Sequence, residues 1–273
     1  MGRWLGYRLD VMEGEVGMAE IKFLLKFGKR EDLESLVKGS IYCSNAITFW
    51  KIEDKLKIKG QGDILEAGTR MFAQKMMIQD PDTKEVIAKC GKASGLVRIE
   101  PAEKIPVFCM FAVLGEDCKV NEYENVIINL SEDKKQTIKE HFPKADAVVI
   151  IPNPEVFIED VRKSIGTEIK AEKVNYFHID KGLETKDGRI AMDMEYMKYL
   201  MQDVQPVKVD GATKYVLHAD YAYRVLFCKD IFFKKEQEYR IVLPNEIIDI
   251  GKSYPVQFSS DYEVIDLNTF FGN

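Results

Sequence analysis

Two stretches hold side chains whose types and spacing could do chemistry. The first is Lys234-Lys235-Glu236-Gln237-Glu238-Tyr239-Arg240-Ile241-Val242-Leu243, closed by Pro244. As a strand it sends Glu236, Glu238, Arg240 and Val242 to one face and Gln237, Tyr239, Ile241 and Leu243 to the other. Glu236 and Glu238 would then stand about 7 Å apart, a spacing at which two carboxylates can grip one ligand. Arg240 on the same face could pair with Glu238. The alternative is a solvated face of Lys and Glu protecting an edge strand, and both readings stand. The second stretch is Gly60-Gln61-Gly62-Asp63-Ile64-Leu65-Glu66-Ala67-Gly68. A glycine-flanked loop can close on a ligand, with Asp63 and Glu66 binding a hydroxyl, a cation or a basic group. Its simpler reading is a solvated loop with one helical turn.

Familiar signatures are missing. There is no P-loop, no GxGxxG after a strand, no HExxH and no GxSxG. His141, His178 and His218 are far apart in sequence, which speaks against a histidine metal site or triad. His141, near a helix C-terminus, suits the helix dipole; His178 and His218 read as hydrogen-bonding groups in strands. Asp63, Glu66 and the late glutamates could serve a metal-dependent nuclease, but no acid–x–Lys strand motif accompanies them.

The elements that must position these residues follow from periodicity. Lys22 to Phe27 reads as a strand broken by Gly28. Glu31 to Lys38 is a short helix stopped by Gly39, and Ser40 to Ser44 is a strand. Residues 51–68, charged and glycine-containing, read as a mobile loop over a surface or cleft. Arg70 to Gln79 and Lys84 to Lys89 form a hairpin around Asp80-Pro81-Asp82-Thr83, with a helix over Met71 to Ile78 as its rival. Leu96 to Ile99 is a strand, and Ile105 to Leu114, apolar on both faces, is a central one. Ser131 caps a helix running to His141, and Asp146 to Ile151 is buried strand. Asn153 and Pro154 start a helix ended by Gly166. Strand follows at 173–179, then a turn at 186–189 and an amphipathic helix from Met192 to Val204. Lys214 to Ala219, Tyr254 to Phe258 and Tyr262 to Leu267 close the chain as strands, while 220–230 reads equally as helix or strand. Strands without strict alternation with helices predict a single α+β domain over 18–273, with a mixed, largely antiparallel sheet and several short helices. Residues 1–17 are either an arm that docks on a partner or on the body, or the product of a start codon upstream of Met18.

Composition limits the partners. The 273 residues carry a net charge of −6, which argues against a protein that binds nucleic acid by neutralising phosphates. Five scattered cysteines, with no CxxC pair, read as reduced thiols in a cytoplasmic protein. No segment has the pattern of a secretory signal or a membrane span.

Two resemblances follow from these residues. The order KFGKREDLESLVKGSIYCSN, GQGDILEAG, IPVFCMF and FFKKEQEYRIVL resembles an uncharacterised bacterial and phage family that ends on an E-x-E-Y-R strand, covering most of 18–250. The outline is also similar to ADP-ribosyltransferases, which present a catalytic Glu on a late strand. That resemblance implies NAD as substrate and a macromolecular, most simply protein, target, in a setting such as phage–host conflict. Glu238 would then steady an oxocarbenium-like centre and Glu236 would orient the acceptor. Tyr42 and Ser44 would line the NAD cleft, with Lys26, Asp63, Glu66 and Arg240 around it. The first strand offers Lys22 and Lys26 where such enzymes carry His or Arg. A non-catalytic phage or prophage protein that works by binding another protein is the other reading.

Overall fold

Six strands form the central sheet of the computed structural model: β1 (Ile21–Gly28), β2 (Val107–Leu114), β3 (Ala147–Ile151), β4 (Lys170–Lys173), β5 (Glu238–Val242) and β6 (Val264–Asp266). Their order is β4-β5-β2-β1-β3-β6, and every neighbouring pair is antiparallel. The structure describes residues 21–56, 62–209 and 211–272. The expected arm at 1–17 and the Gly60-Gln61 start of the glycine-flanked loop lie outside them.

The sheet is buried on both faces. On one, Leu24, Phe108, Met110, Val149, Tyr239, Ile241 and Leu243 pack with α1 (Arg30–Val37) and α4 (Pro154–Ile165) through Leu33, Leu36, Phe157 and Val161. On the other, Phe23, Leu25, Phe111, Val113 and Val148 meet α3 (Glu132–His141) and α6 (Leu267–Phe271). A third cluster extends that second face, where Val107 and Val242 meet Tyr196 and Leu200 of α5 (Met194–Met201) and the 3-10 segment Ala219–Phe227. A short parallel pair, Asn175–Phe177 with Cys228–Asp230, adds to this side. The architecture is α+β with a mostly antiparallel sheet. Among the described residues no helix is long and apolar enough to cross a membrane.

Local chemistry sets most of the boundaries. The Ser131 and Asn153 side chains cap α3 and α4, Pro154 opens α4, and Gly166 ends it with a left-handed backbone. The hairpin around Asp80 is a two-part β-arm, Gly68–Ala73 on Ala93–Arg98 and Met76–Gln79 on Val86–Cys90. At its tip the Asp80 carboxylate accepts the backbone N–H groups of Asp82 and Thr83.

Four expectations are corrected. The Lys234–Leu243 run is not one strand: Ile231–Glu236 is 3-10 helix, Gln237 turns through φ 41°, and extended backbone begins only at Glu238. Nor is β5 an edge strand, since it pairs with both β4 and β2 and all five of its residues are buried. The mobile loop assigned to 51–68 gives way at its start to α2 (Ala46–Leu56), where Asn45 turns the chain by accepting the Thr48 N–H. Lys214–Ala219 holds strand only as far as Lys214, and Ala219 already begins the 3-10 segment.

Candidate functional site

The site lies at a notch in the sheet. Pairing of β1 with β2 runs from Ile21 to Leu25 opposite Phe111, and past that point β1 stays paired with β3 through Gly28. In its place Ser44 exchanges two backbone hydrogen bonds with Val107, at 2.9 and 2.8 Å. The Lys26 ammonium fills the gap, donating to the Cys109 carbonyl at 2.6 Å and sitting 4.6 Å from the Phe108 ring centroid. A cavity of about 200 Å³ opens there. Its wall holds all eight residues singled out from sequence: Lys26, Tyr42, Ser44, Asp63, Glu66, Glu236, Glu238 and Arg240. Tyr42 is 59% exposed and forms the mouth, whereas Asp63, Glu66 and Arg240 are 3%, 1% and 1% exposed and form the floor.

Arg240 organises that floor. Its guanidinium donates to both oxygens of Glu66, at 2.5 and 2.9 Å, and to Glu238 Oε2 at 3.0 Å. It also donates to the Leu226 carbonyl. Planar, forked donors suit such paired carboxylate contacts. Lys229 shares Glu238 Oε2 with Arg240, at 3.2 Å, and links it to Glu236 Oε2, at 2.7 Å. Glu236 Oε1 lies 2.6 Å from Nδ1 of His141, at the C-terminus of α3. The possible pairing of Arg240 with Glu238 is therefore present, but within a larger network that also takes in Glu66. The alternative of a solvated charged face does not hold.

Glu66 reaches this point because the turn after α2 is tightly docked. A side chain at Gly62 would meet the backbone N of Glu53 at 2.4 Å and the Phe49 carbonyl at 2.5 Å, so only glycine lets the chain pass α2 this closely. Ile64 N–H then bonds to Glu53 Oε2 at 2.7 Å, and Trp50 Nε1–H bonds to the Glu66 carbonyl at 2.8 Å. The solvated-loop reading of Asp63 and Glu66 is overturned. Backbone and indole contacts to α2 bury both acids.

Burial and neighbouring charge push the carboxyls in opposite directions. Burial alone would raise Glu238, but Arg240 and Lys229 beside it outweigh this and bring it down to about 2. Asp63 is raised to about 7 by burial, with Glu66 adding to the rise and Lys229, the Leu65 N–H and Arg240 opposing it. Burial lowers the Lys26 ammonium. Among the described residues Lys26 has no carboxylate within ion-pairing distance. Two buried polar atoms in this wall, Asp63 Oδ2 and Arg240 Nε, lack a hydrogen-bond partner among the described residues. Each such orphan typically costs about 1–3 kcal/mol, and two in one pocket suit a ligand that satisfies them.

Sequence reasoning missed Lys229, Cys109, Phe111 and the Glu236 contact of His141. The signal for Lys229 was a single lysine directly after the apolar run Val225-Leu226-Phe227-Cys228, since a buried lysine requires carboxylate partners. The Cys109 and Cys228 thiols are pushed up by burial, which keeps them protonated and inert. Among the described residues no group of three or more His, Cys, Asp or Glu side chains is disposed to hold a metal. Compared with protein-family models, curated proteins and solved structures, the chain matches none.

Proposed function

We propose that this protein is an ADP-ribosyltransferase-like enzyme that breaks the nicotinamide–ribose bond of NAD and transfers ADP-ribose to a macromolecular target. The observation that carries the reading is Glu238, a buried carboxylate held ionised on the wall of a pocket. As nicotinamide leaves, positive charge develops on the ribose C1′ and ring oxygen. A fixed anion in a water-poor site stabilises that charge without having to reorganise. Arg240 and Lys229 keep Glu238 ionised and aimed. Glu236, next to it on Lys229, orients the acceptor. Tyr42 and Ser44 flank the entrance, and Lys26, with no carboxylate within ion-pairing distance among the described residues, faces the anionic part of the dinucleotide. The cavity suits the nicotinamide-riboside end, with the remainder of the molecule extending past Tyr42.

Labelled NAD incubated with the protein and a cell lysate tests this. Label transfer or nicotinamide release is expected from the native protein, with a loss on the order of 10²-fold or more in Glu238→Gln. Absence of turnover together with absence of a thermal shift on adding NAD would sink it. A second reading, a non-catalytic protein acting by contact with another protein, is favoured by the β-arm, where Met71, Met77, Ile78 and Ile87 are all exposed. Under that reading the arm, and not the pocket, would carry activity.

A further inference from the structure

We propose that Asp63 is a proton donor to a leaving nucleobase, so that the pocket also hydrolyses purine nucleotides. This rests on the reading of the pocket as a site of N-glycosidic chemistry around Glu238, and it names a second substrate class for it. The two leaving groups differ in what they require. Nicotinamide leaves from a pyridinium and departs neutral with no added proton. A purine leaves from a neutral glycoside and would depart as an anion unless an acid protonates it.

Such an acid stands in the wall. Asp63 is 3% exposed, its Oδ1 accepts the Leu65 N–H at 2.9 Å, and its Oδ2 lacks a partner among the described residues. Oδ2 is thus the oxygen left to carry and deliver a proton. The groups around it are Lys229, Glu66 and Arg240, with Lys26, Glu236 and Glu238 further along the same wall and Glu53 of α2 behind the turn. Their net effect, with burial, brings Asp63 to about 7, while Glu238 stays ionised. Two carboxyls driven apart in this way divide acid and anion roles between them.

The step balances without a co-reactant other than water. The C1′–N9 bond breaks and its electron pair goes to N9. The Oδ2 proton moves to another ring nitrogen of the purine, which departs neutral. Water then adds to C1′, and the proton it sheds returns to Asp63. Glu238 faces the positive charge throughout.

The test is chromatographic detection of adenine or guanine released from AMP or GMP, beside nicotinamide from NAD, between pH 5.5 and 9. The native protein, Asp63→Asn and Asp63→Glu are compared after thermal unfolding shows that each is folded. Purine release by the native protein should fall about tenfold per pH unit above about 7. Asp63→Asn should lose on the order of 10²-fold of it together with that descending limb, and Asp63→Glu should recover part of both. Nicotinamide release without purine release would overturn this proposal and leave the NAD reading standing. Purine release with an unchanged pH profile in Asp63→Asn would also overturn it. Release of neither base would overturn this proposal, and the NAD reading falls with it when lysate restores no nicotinamide release and NAD gives no thermal shift.

Discussion

On the α4 side of β5, Tyr239, Ile241 and Leu243 are buried against Phe108, Phe157 and Val161. On the opposite side of the same strand, Glu238 and Arg240 are buried against Glu66, Lys229 and the Leu226 carbonyl. One face is held by removal of apolar surface from water, the other by charges that satisfy one another. The two should respond differently to loss. An apolar face loses stability in proportion to the atoms removed, whereas a buried charge network fails when any partner leaves an uncompensated charge.

The largest effect should come from breaking the charged face. Arg240→Met strands Glu66 and Glu238 and is expected to cost about 3–5 kcal/mol in urea unfolding. Adding Glu66→Gln and Glu238→Gln should recover much of that loss, because neutral amides carry no buried charge. A loss as large in the triple variant would show that uncompensated charge is not what makes this face fail.

Asp63 should give the next largest effect, seen through pH. Its folded pKa, about 7, lies above the ordinary value of 3.8. The folded state therefore holds the proton where the unfolded state has released it. This contribution is fully present below about pH 3.8 and is lost as pH rises through about 7, a change of roughly 4 kcal/mol. Glu238 runs the other way: depressed to about 2, it contributes above its ordinary value of 4.5 and its contribution is lost as pH falls toward 2. Stability measured from pH 4 to 8 should thus decline more steeply in the native protein than in Asp63→Asn, and equal slopes would contradict the burial of an acidic proton.

The smallest effect belongs to the apolar face. Ile241→Val, which removes one methylene from a fully buried position, should cost about 0.5–1.5 kcal/mol. Because β5 contributes to both faces, combining it with Arg240→Met measures whether they couple. Additive losses would show that they fail independently.

Much of this protein was legible before folding was considered. The caps at Ser131 and Asn153, the left-handed stop at Gly166 and the Asp80 turn are local, and their residues announce them within a few positions. Asp63, Glu66, Glu236, Glu238 and Arg240 were legible as candidates because acids beside glycines, or charges alternating along a strand, are unusual patterns, whereas Lys26, Tyr42 and Ser44 entered only through the resemblance to ADP-ribosyltransferases. Their burial was not legible. A period of two distinguishes the two faces of a strand but says nothing about what covers each.

The sequence by itself determined which residues could carry charge into a site, and that Glu238 and Arg240 share a face of a strand. Only the tertiary structure decided that this face is interior. Partners for Arg240 and Glu238 come from Glu66, 174 residues from Arg240, and from Lys229 across a turn. Whether a carboxylate is solvated, paired or held as an acid depends on the distance to such partners and the exclusion of water, and both are set by chain segments that no local pattern connects.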